Sequence, residues 1–258
     1  ITTYEKTVKS EIFLMNSKIF NYLQGKIQEC FSLPKYHGIR ENITADTVFE
    51  TLPWTPVRLE KFKDAVNENF DLDISYQGTV REITDEIDRA YMHRFFGQIW
   101  KPRTERFTFT GWGLVDEIMK HDPKNVLDIG CGYNQFKDKL PNLTGIDPYN
   151  EAADYMVDIL EYVSDRQYAA IMSLGSINFN GFEDILLRME KAAGFLAPGG
   201  RWYLRVNPGI SHERGPWIEI FPWNFEYAKD FANRLGLELE TFKKDQGDRL
   251  YFVYRKPA

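Results

Sequence analysis

The chain has 258 residues and a formal net charge of −6, with 43% hydrophobic and 27% charged residues, which is ordinary for a soluble globular protein. That length allows one large domain or a domain with an appendage, and the acidic balance argues against a dominant non-specific hold on nucleic acid. No apolar run is long enough to cross a bilayer and no signal-peptide pattern opens the chain. The two cysteines, Cys30 and Cys131, lack metal-ligand spacing, so a reducing, cytoplasmic setting without a metal site is expected.

From Thr3 to Phe31, Ile12, Met15, Ile19, Leu23 and Ile27 recur at helical spacing. A connector, Leu33 to Gly38, follows. Pro53 and Pro56 flank Trp54, and a second helix is expected to begin near Pro56, a position proline tolerates. Its apolar face would be Leu59, Phe62, Val66 and Phe70. A third helix is expected over Thr79 to Met92, with Val80, Ile83, Ile87 and Tyr91 in register. The stretches LEKFKDAVNENFDLDIS and TVREITDEI resemble the later helices of acyl-carrier proteins. Pro56 stands roughly where those proteins have the serine that carries the prosthetic arm, so no carrier function is implied. These residues read as a helical module, a lid or a partner surface. Next, over His93–Trp112, basic groups (His93, Arg94, Lys101, Arg103, Arg106) interleave with Phe95, Phe96, Trp100, Phe107, Phe109 and Trp112. This segment is either a connector pinned by its aromatics or a nucleic-acid contact, with rings stacking on bases. The acidic total favours the connector.

A short helix, Leu114 to Lys120, leads into NVLDIGCGYNQF, Asn125 to Phe136. Val126, Leu127 and Ile129 make a short apolar run, interrupted by Asp128 and stopped by Gly130 and Gly132, which suits a buried parallel strand ending in a sharp turn. Such turns at strand ends are where ligands sit in open α/β sheets. The dinucleotide fingerprint G-x-G-x-x-G fails at Gln135, which disfavours a nicotinamide oxidoreductase. The stretch resembles instead the first motif of class I S-adenosylmethionine (SAM) methyltransferases, with Asn134 where that family usually has a third glycine. Asn tolerates positive φ, so the turn survives.

Further elements follow in that family's order. A second strand, Leu143 to Ile146, ends at Asp147, nineteen residues after Asp128, near the interval that presents a carboxylate to a ribose. Asp158 and Ile159 resemble the third methyltransferase motif. A strand over Tyr168–Leu174, a helix over Phe182–Phe195, the turn LAPGG (Leu196 to Gly200), a strand over Trp202–Val206 and a helix over Trp223–Leu235 come next. Two strands, Leu237–Phe242 and Leu250–Tyr254, close the chain. The resemblance covers about Gly113 to Lys256 and implies a Rossmann-like α/β fold, a seven-stranded, mostly parallel sheet ending in an antiparallel hairpin. Domains are expected at 1–112 (helical module plus connector) and 113–258 (methyltransferase-like).

By that resemblance, Asp128, Gly130, Cys131 and Gly132 form the cradle for the amino acid end of SAM, the aspartate acting by charge. Asp147 binds the ribose hydroxyls, Asp158 and Ile159 hold adenine, and Ser173 and Leu174 line the methyl side. Cys131, inside a turn that needs a small residue, reads as a packing residue rather than a reactive thiol. His212 and Glu213, in the polar loop after Val206, are the candidate bases for an acceptor that must lose a proton. SLGS, at the end of the strand over Tyr168–Leu174, is not the D/N-P-P-Y/F/W tetrapeptide of amino-group DNA methyltransferases. The expected function is methyl transfer to an oxygen or nitrogen acceptor, with a small molecule favoured. The alternatives are an RNA or DNA acceptor and a catalytically degenerate SAM-binding module.

Overall fold

The protein is described by a computed structural model over residues 15–101 and 112–258. Its contacts divide into two units. One holds the residues up to Phe95 together with His212–Glu219, and the other holds Phe96–Ser211 with Ile220–Ala258. The division falls earlier than the expected boundary at 112, and it assigns to the helical unit a segment that the sequence had placed with the sheet.

In the helical unit, α1 (Ser17–Cys30) starts at Asn16, whose side chain accepts from the amides of Lys18 and Ile19, and buries the expected Ile19, Leu23 and Ile27. The part of the expected first helix that precedes residue 15 lies outside the described residues. A short α2 (His37–Glu41) follows. Helix α3 (Pro56–Phe70) begins at Pro56 behind a Thr55 cap, as expected. Pro56 has no hydroxyl that a prosthetic arm could be joined to. Helix α4 (Val80–Arg94) opens on a capping box between Thr79 and Glu82. Phe31, Phe49, Trp54, Phe62 and Tyr76 form a continuous aromatic cluster. The 212–219 segment joins this unit through specific bonds. Asn16 Nδ2 donates to Asp88 (2.8 Å) and to the Trp217 carbonyl (2.9 Å). The Ser17 amide and hydroxyl donate to Glu219 at 2.6 and 2.7 Å, and Lys18 Nζ reaches the carbonyls of Pro216 and Ile218. The Trp217 ring lies 4.9 Å from both Tyr22 and Phe70.

The second unit is built on a sheet of six strands in the order β2-β1-β3-β4-β6-β5. These are β1 (Val126–Ile129), β2 (Leu143–Ile146), β3 (Tyr168–Leu174), β4 (Leu196–Val206), β5 (Glu238–Asp245) and β6 (Arg249–Arg255). The first four pair in parallel, and β6 pairs antiparallel with both β4 and β5, so that β6 alone runs against the other described strands. Helices α5 (Trp112–Met119), α6 (Phe182–Phe195) and α7 (Phe225–Leu235) complete it. Alternation along each strand sorts the core. Leu127, Ile171, Trp202 and Phe252 pack with residues of α6 and α7 on one face, and Val126, Met172, Tyr203 and Val253 pack with Leu114 and Ile118 of α5 on the other.

Two expectations change. The described residues form six strands where seven were expected. Beyond β2 the chain makes one parallel bridge, Ile146 to Tyr155. There the Asp154 and Asp158 carboxylates accept backbone amides, from Gly145 (2.8 Å) and Leu160 (2.9 Å), and side chains that bind the backbone in this way favour turns over a ladder. LAPGG, read as a turn, is instead the start of β4. Leu196 pairs with Tyr168 and Arg201 with Ala170, so residues 197–200 form the irregularity within β4, and Gly199 takes φ +72°.

Candidate functional site

The site grows out of the register between β1 and β2. Ile129 pairs with Ile146, so Gly130 and Asp147 leave the sheet from matched positions. Gly130 turns at φ +73° and Gly132 at φ +53°, and the Gly130 and Cys131 amides both donate to the Ile146 carbonyl, at 2.8 and 3.1 Å. Asn134 adopts φ +54°, the left-handed conformation expected of it, and its side chain donates to the Ala152 carbonyl at 3.1 Å. Asp147 folds back over the bend and accepts from Gly132 N (3.0 Å) and from Tyr149 N (2.8 Å). The space on the Cα side of Gly132 is open to 4 Å, whereas a Cβ on Gly130 would stand 2.2 Å from that of Ser176. The Ser176 hydroxyl donates to the Ile129 carbonyl and locks the end of β1.

Two carboxylates are buried here, Asp128 and Asp147. Burial, and then the charge of Asp147, push Asp128 up to about 8. Burial also raises Asp147, against the amides of Tyr149, Gly132 and Asn150, which favour its charged form. Burial and the neighbouring carboxylates Asp128, Asp147 and Asp154 raise the Cys131 thiol, which keeps it protonated and suits packing rather than nucleophilic chemistry. A carboxyl whose folded pKa lies above its unfolded value stabilises the fold fully below the unfolded value, and that stability is lost as pH rises through the folded value. The melting temperature of the ligand-free protein is therefore expected to fall from about pH 5 to about pH 8 more steeply than that of Asp128→Asn. Asp85, raised by burial to about 6, contributes with the same sign to both proteins, so the difference between the two melting curves reports Asp128 together with its coupling to Asp147. Parallel curves would refute the assignment.

Asp158 is held by Arg188 of α6 at 2.6 Å and accepts from Leu160 N. Burial opposes the charge on Arg188, but the charge of Asp158 and its hydrogen bond outweigh that and raise the guanidinium above its ordinary value. Ile159 is buried in the core on the α6–α7 face. The Ser173 side chain is fully buried and accepts from Trp202 Nε1 at 3.0 Å, so only its backbone is left to meet a ligand. Leu174 is half-buried at the end of β3. His212 and Glu213 belong to the helical unit. The His212 ring meets Phe95 edge-on at 4.9 Å, and its Nδ1 accepts from Arg214 N at 3.2 Å.

Sequence reasoning missed Ser176, Arg188 and the aromatic pair beside Asp147, where Phe96 stacks on Tyr149 with ring centroids 5.7 Å apart. It also missed the bracing of the loops after β3 and β4, where Asn178 Oδ1 accepts from Asn207 N at 2.9 Å and Trp223 Nε1 donates to the Ile177 carbonyl at 2.9 Å. Each of these contacts joins residues far apart in the chain, and no local pattern marks them. Of the His93–Trp112 segment, Arg103, Arg106, Phe107 and Phe109 lie outside the described residues. Within it, Phe96 packs on Tyr149, Trp100 and Phe179. Among the described residues, no group of three or more His, Cys, Asp or Glu could hold a metal ion, and no helix is long and apolar enough to cross a membrane.

No protein-family model matches the sequence, and no curated protein matches it. Solved structures do match the fold. The N-methyltransferase NodS from Bradyrhizobium japonicum WM9, in complex with S-adenosyl-L-homocysteine, superposes with a TM-score of 0.50 at 17% identity, over 66% of this chain and 98% of that one. The 1,6-didemethyltoxoflavin-N1-methyltransferase of Burkholderia thailandensis, with bound 1,6-didemethyltoxoflavin and S-adenosylhomocysteine, gives 0.51 at 12% identity, over 67% of this chain and 90% of that one. The sheet unit shares the α/β fold of these two methyltransferases, with six strands among the described residues.

Proposed function

We propose that this chain is a SAM-dependent methyltransferase whose acceptor is a small molecule presenting an oxygen or nitrogen nucleophile. The observation that carries the reading is the pairing of buried Asp128 and Asp147 with a glycine bend that stays open on the Gly132 side. The residues fit such a cofactor. Asp147 stands at the end of β2, where it can accept ribose hydroxyls through the lone pairs its amide bonds leave over. Asp128 places a carboxyl group beside the bend, and the Gly130–Gly132 backbone allows close approach. Asp158, ion-paired with Arg188, suits the amino edge of adenine, with the Ile159 backbone beside it, while Leu174 and the Ser173 backbone close the end of β3. Cys131 serves by being small. SAM, when bound, supplies an electrophilic methyl group on a sulfonium, so the protein's main task is alignment and exclusion of water.

The two neighbours of like fold are N-methyltransferases, one of them crystallised with a small-molecule ligand, which supports a small acceptor. Packing of Phe96 against Tyr149 and Phe179 supports the connector reading of that segment over the base-stacking one. The antiparallel pairing of β6 with β4 and β5 supports a methyltransferase over a nicotinamide enzyme. The helical unit is read as an accessory to the transferase unit. His212 and Glu213 are the groups proposed to act as base for an acceptor that must be deprotonated, and they take no part in holding the cofactor. His212→Ala and Glu213→Gln are therefore expected to leave SAM affinity within about twofold of wild type, a change of under about 0.5 kcal/mol.

Titration calorimetry tests the reading. SAM is expected to bind and NAD to give no heat, and radiolabelled SAM then reports methyl transfer across a panel of amine and hydroxyl acceptors. Binding of NAD without SAM would overturn the proposal. Tight SAM binding with no transfer to any acceptor would favour a degenerate module.

A further inference from the structure

Asp128 sits in the interior of the sheet unit, between Gly145 of β2 and Met172 of β3 in register, and its side chain is almost fully buried. The groups around it are specific. From the end of β2 comes a second carboxylate, Asp147, held by two amides. Its own turn brings the neutral Cys131 thiol, and β3 brings Met172, which carries no charge. Asp154, the next carboxylate towards Cys131, is already ion-paired with Lys137 at 2.6 Å. Among the described residues, the charged group whose field raises Asp128 is Asp147, of the same sign. A buried carboxylate beside another is stable only with a proton or a cation.

Resting on the proposed function, we infer that Asp128 accepts the ammonium group of the cofactor's amino acid end by giving up its own proton, so that cofactor capture releases a proton to solvent. The step balances without an oxidant or reductant. The Asp128 O–H bond breaks, its electron pair stays on the carboxylate, the proton passes to buffer, and the arriving cation supplies the charge that the proton had supplied. The direction of the Asp128 shift agrees, since burial and Asp147 favour the protonated form at neutral pH. The site then discriminates by charge. A ligand with the same adenosine and no ammonium leaves the proton in place and forgoes the ion pair.

The test is calorimetry at about pH 7 in phosphate and in Tris, whose ionisation enthalpies differ widely, with SAM and with S-adenosylhomocysteine, which keeps the ammonium but lacks the sulfonium charge. The expected result is a net release approaching one proton per ligand bound for both, with affinity rising about tenfold per pH unit between about pH 6 and about pH 7.5, below the range where the ligand's own amine titrates. In Asp128→Asn, an isostere of the protonated acid that is expected to fold, the buffer dependence disappears and affinity becomes flat with pH. Binding with buffer-independent heat in wild type would overturn the inference while leaving the proposed function intact, as would undiminished proton release in Asp128→Asn. Release with SAM alone would overturn the ammonium assignment. Absence of binding by either ligand would sink the proposed function itself.

Discussion

Gly130→Ala is expected to lose SAM binding by at least about 100-fold, because the amides and carboxylates of the bend move away from their working positions. It is also expected to destabilise the protein by about 2–5 kcal/mol, from a left-handed backbone that L-residues resist and from overpacking. At φ +73° the added Cβ would stand 2.2 Å from Ser176 Cβ, and that residue cannot swing aside without releasing the Ile129 carbonyl that its hydroxyl holds. The comparison that decides the cause is Gly132→Ala. At φ +53° its Cβ meets nothing within 4 Å, so only the backbone term of about 1–2 kcal/mol remains. Ser176→Gly in the Gly130→Ala background removes the clashing carbon and is expected to restore part of the stability. Chemical denaturation measures all four proteins. Equal losses at the two glycines would show that steric contact with Ser176 is irrelevant.

Asp147→Ala is expected to weaken SAM binding by about 30- to 1,000-fold, the equivalent of about 2–4 kcal/mol for losing charge-assisted hydrogen bonds to a hydroxyl pair. Asp147→Asn keeps one acceptor oxygen and should fall between that variant and wild type. A second readout separates this role from simple damage to the bend. Asp147 is the group whose field raises Asp128, so its removal should lower the Asp128 pKa and flatten the fall of melting temperature towards alkaline pH. Calorimetry gives the first effect and pH-dependent melting the second. Unchanged affinity in Asp147→Ala would refute the ribose assignment.

Much of the sheet unit was legible because its signals are local. A short apolar run closed by Gly130 and Gly132 marks β1, helix α6 has the bounds its periodicity predicts, and Asn134 takes the positive φ expected where the family has glycine. Illegible features depend on what lies across the sheet. LAPGG holds a proline and two glycines, the composition of a turn, yet pairing of Leu196 with Tyr168 draws it into β4. Ser173 belongs to the right strand for the expected site, but alternation points its hydroxyl at Trp202. Asp158 gives no hint of Arg188, thirty residues later on another element. His212 and Glu213 were drawn from a loop that follows a sheet strand, and sequence proximity to that strand says nothing of Asn16, Lys18 and Tyr22, which take the rest of the loop into the helical unit.

That captured segment reverses the usual order in which a nascent chain matures. The helical unit is encoded first, yet Trp217 and Glu219, which complete its contacts with Tyr22, Phe70 and Ser17, leave the ribosome only after strands β1 to β4 have been made. Until then Asn16 lacks the Trp217 carbonyl and Lys18 lacks two of its acceptors. The N-terminal unit therefore reaches its native packing late in synthesis, and a fragment cut at Phe95 lacks the piece that closes it.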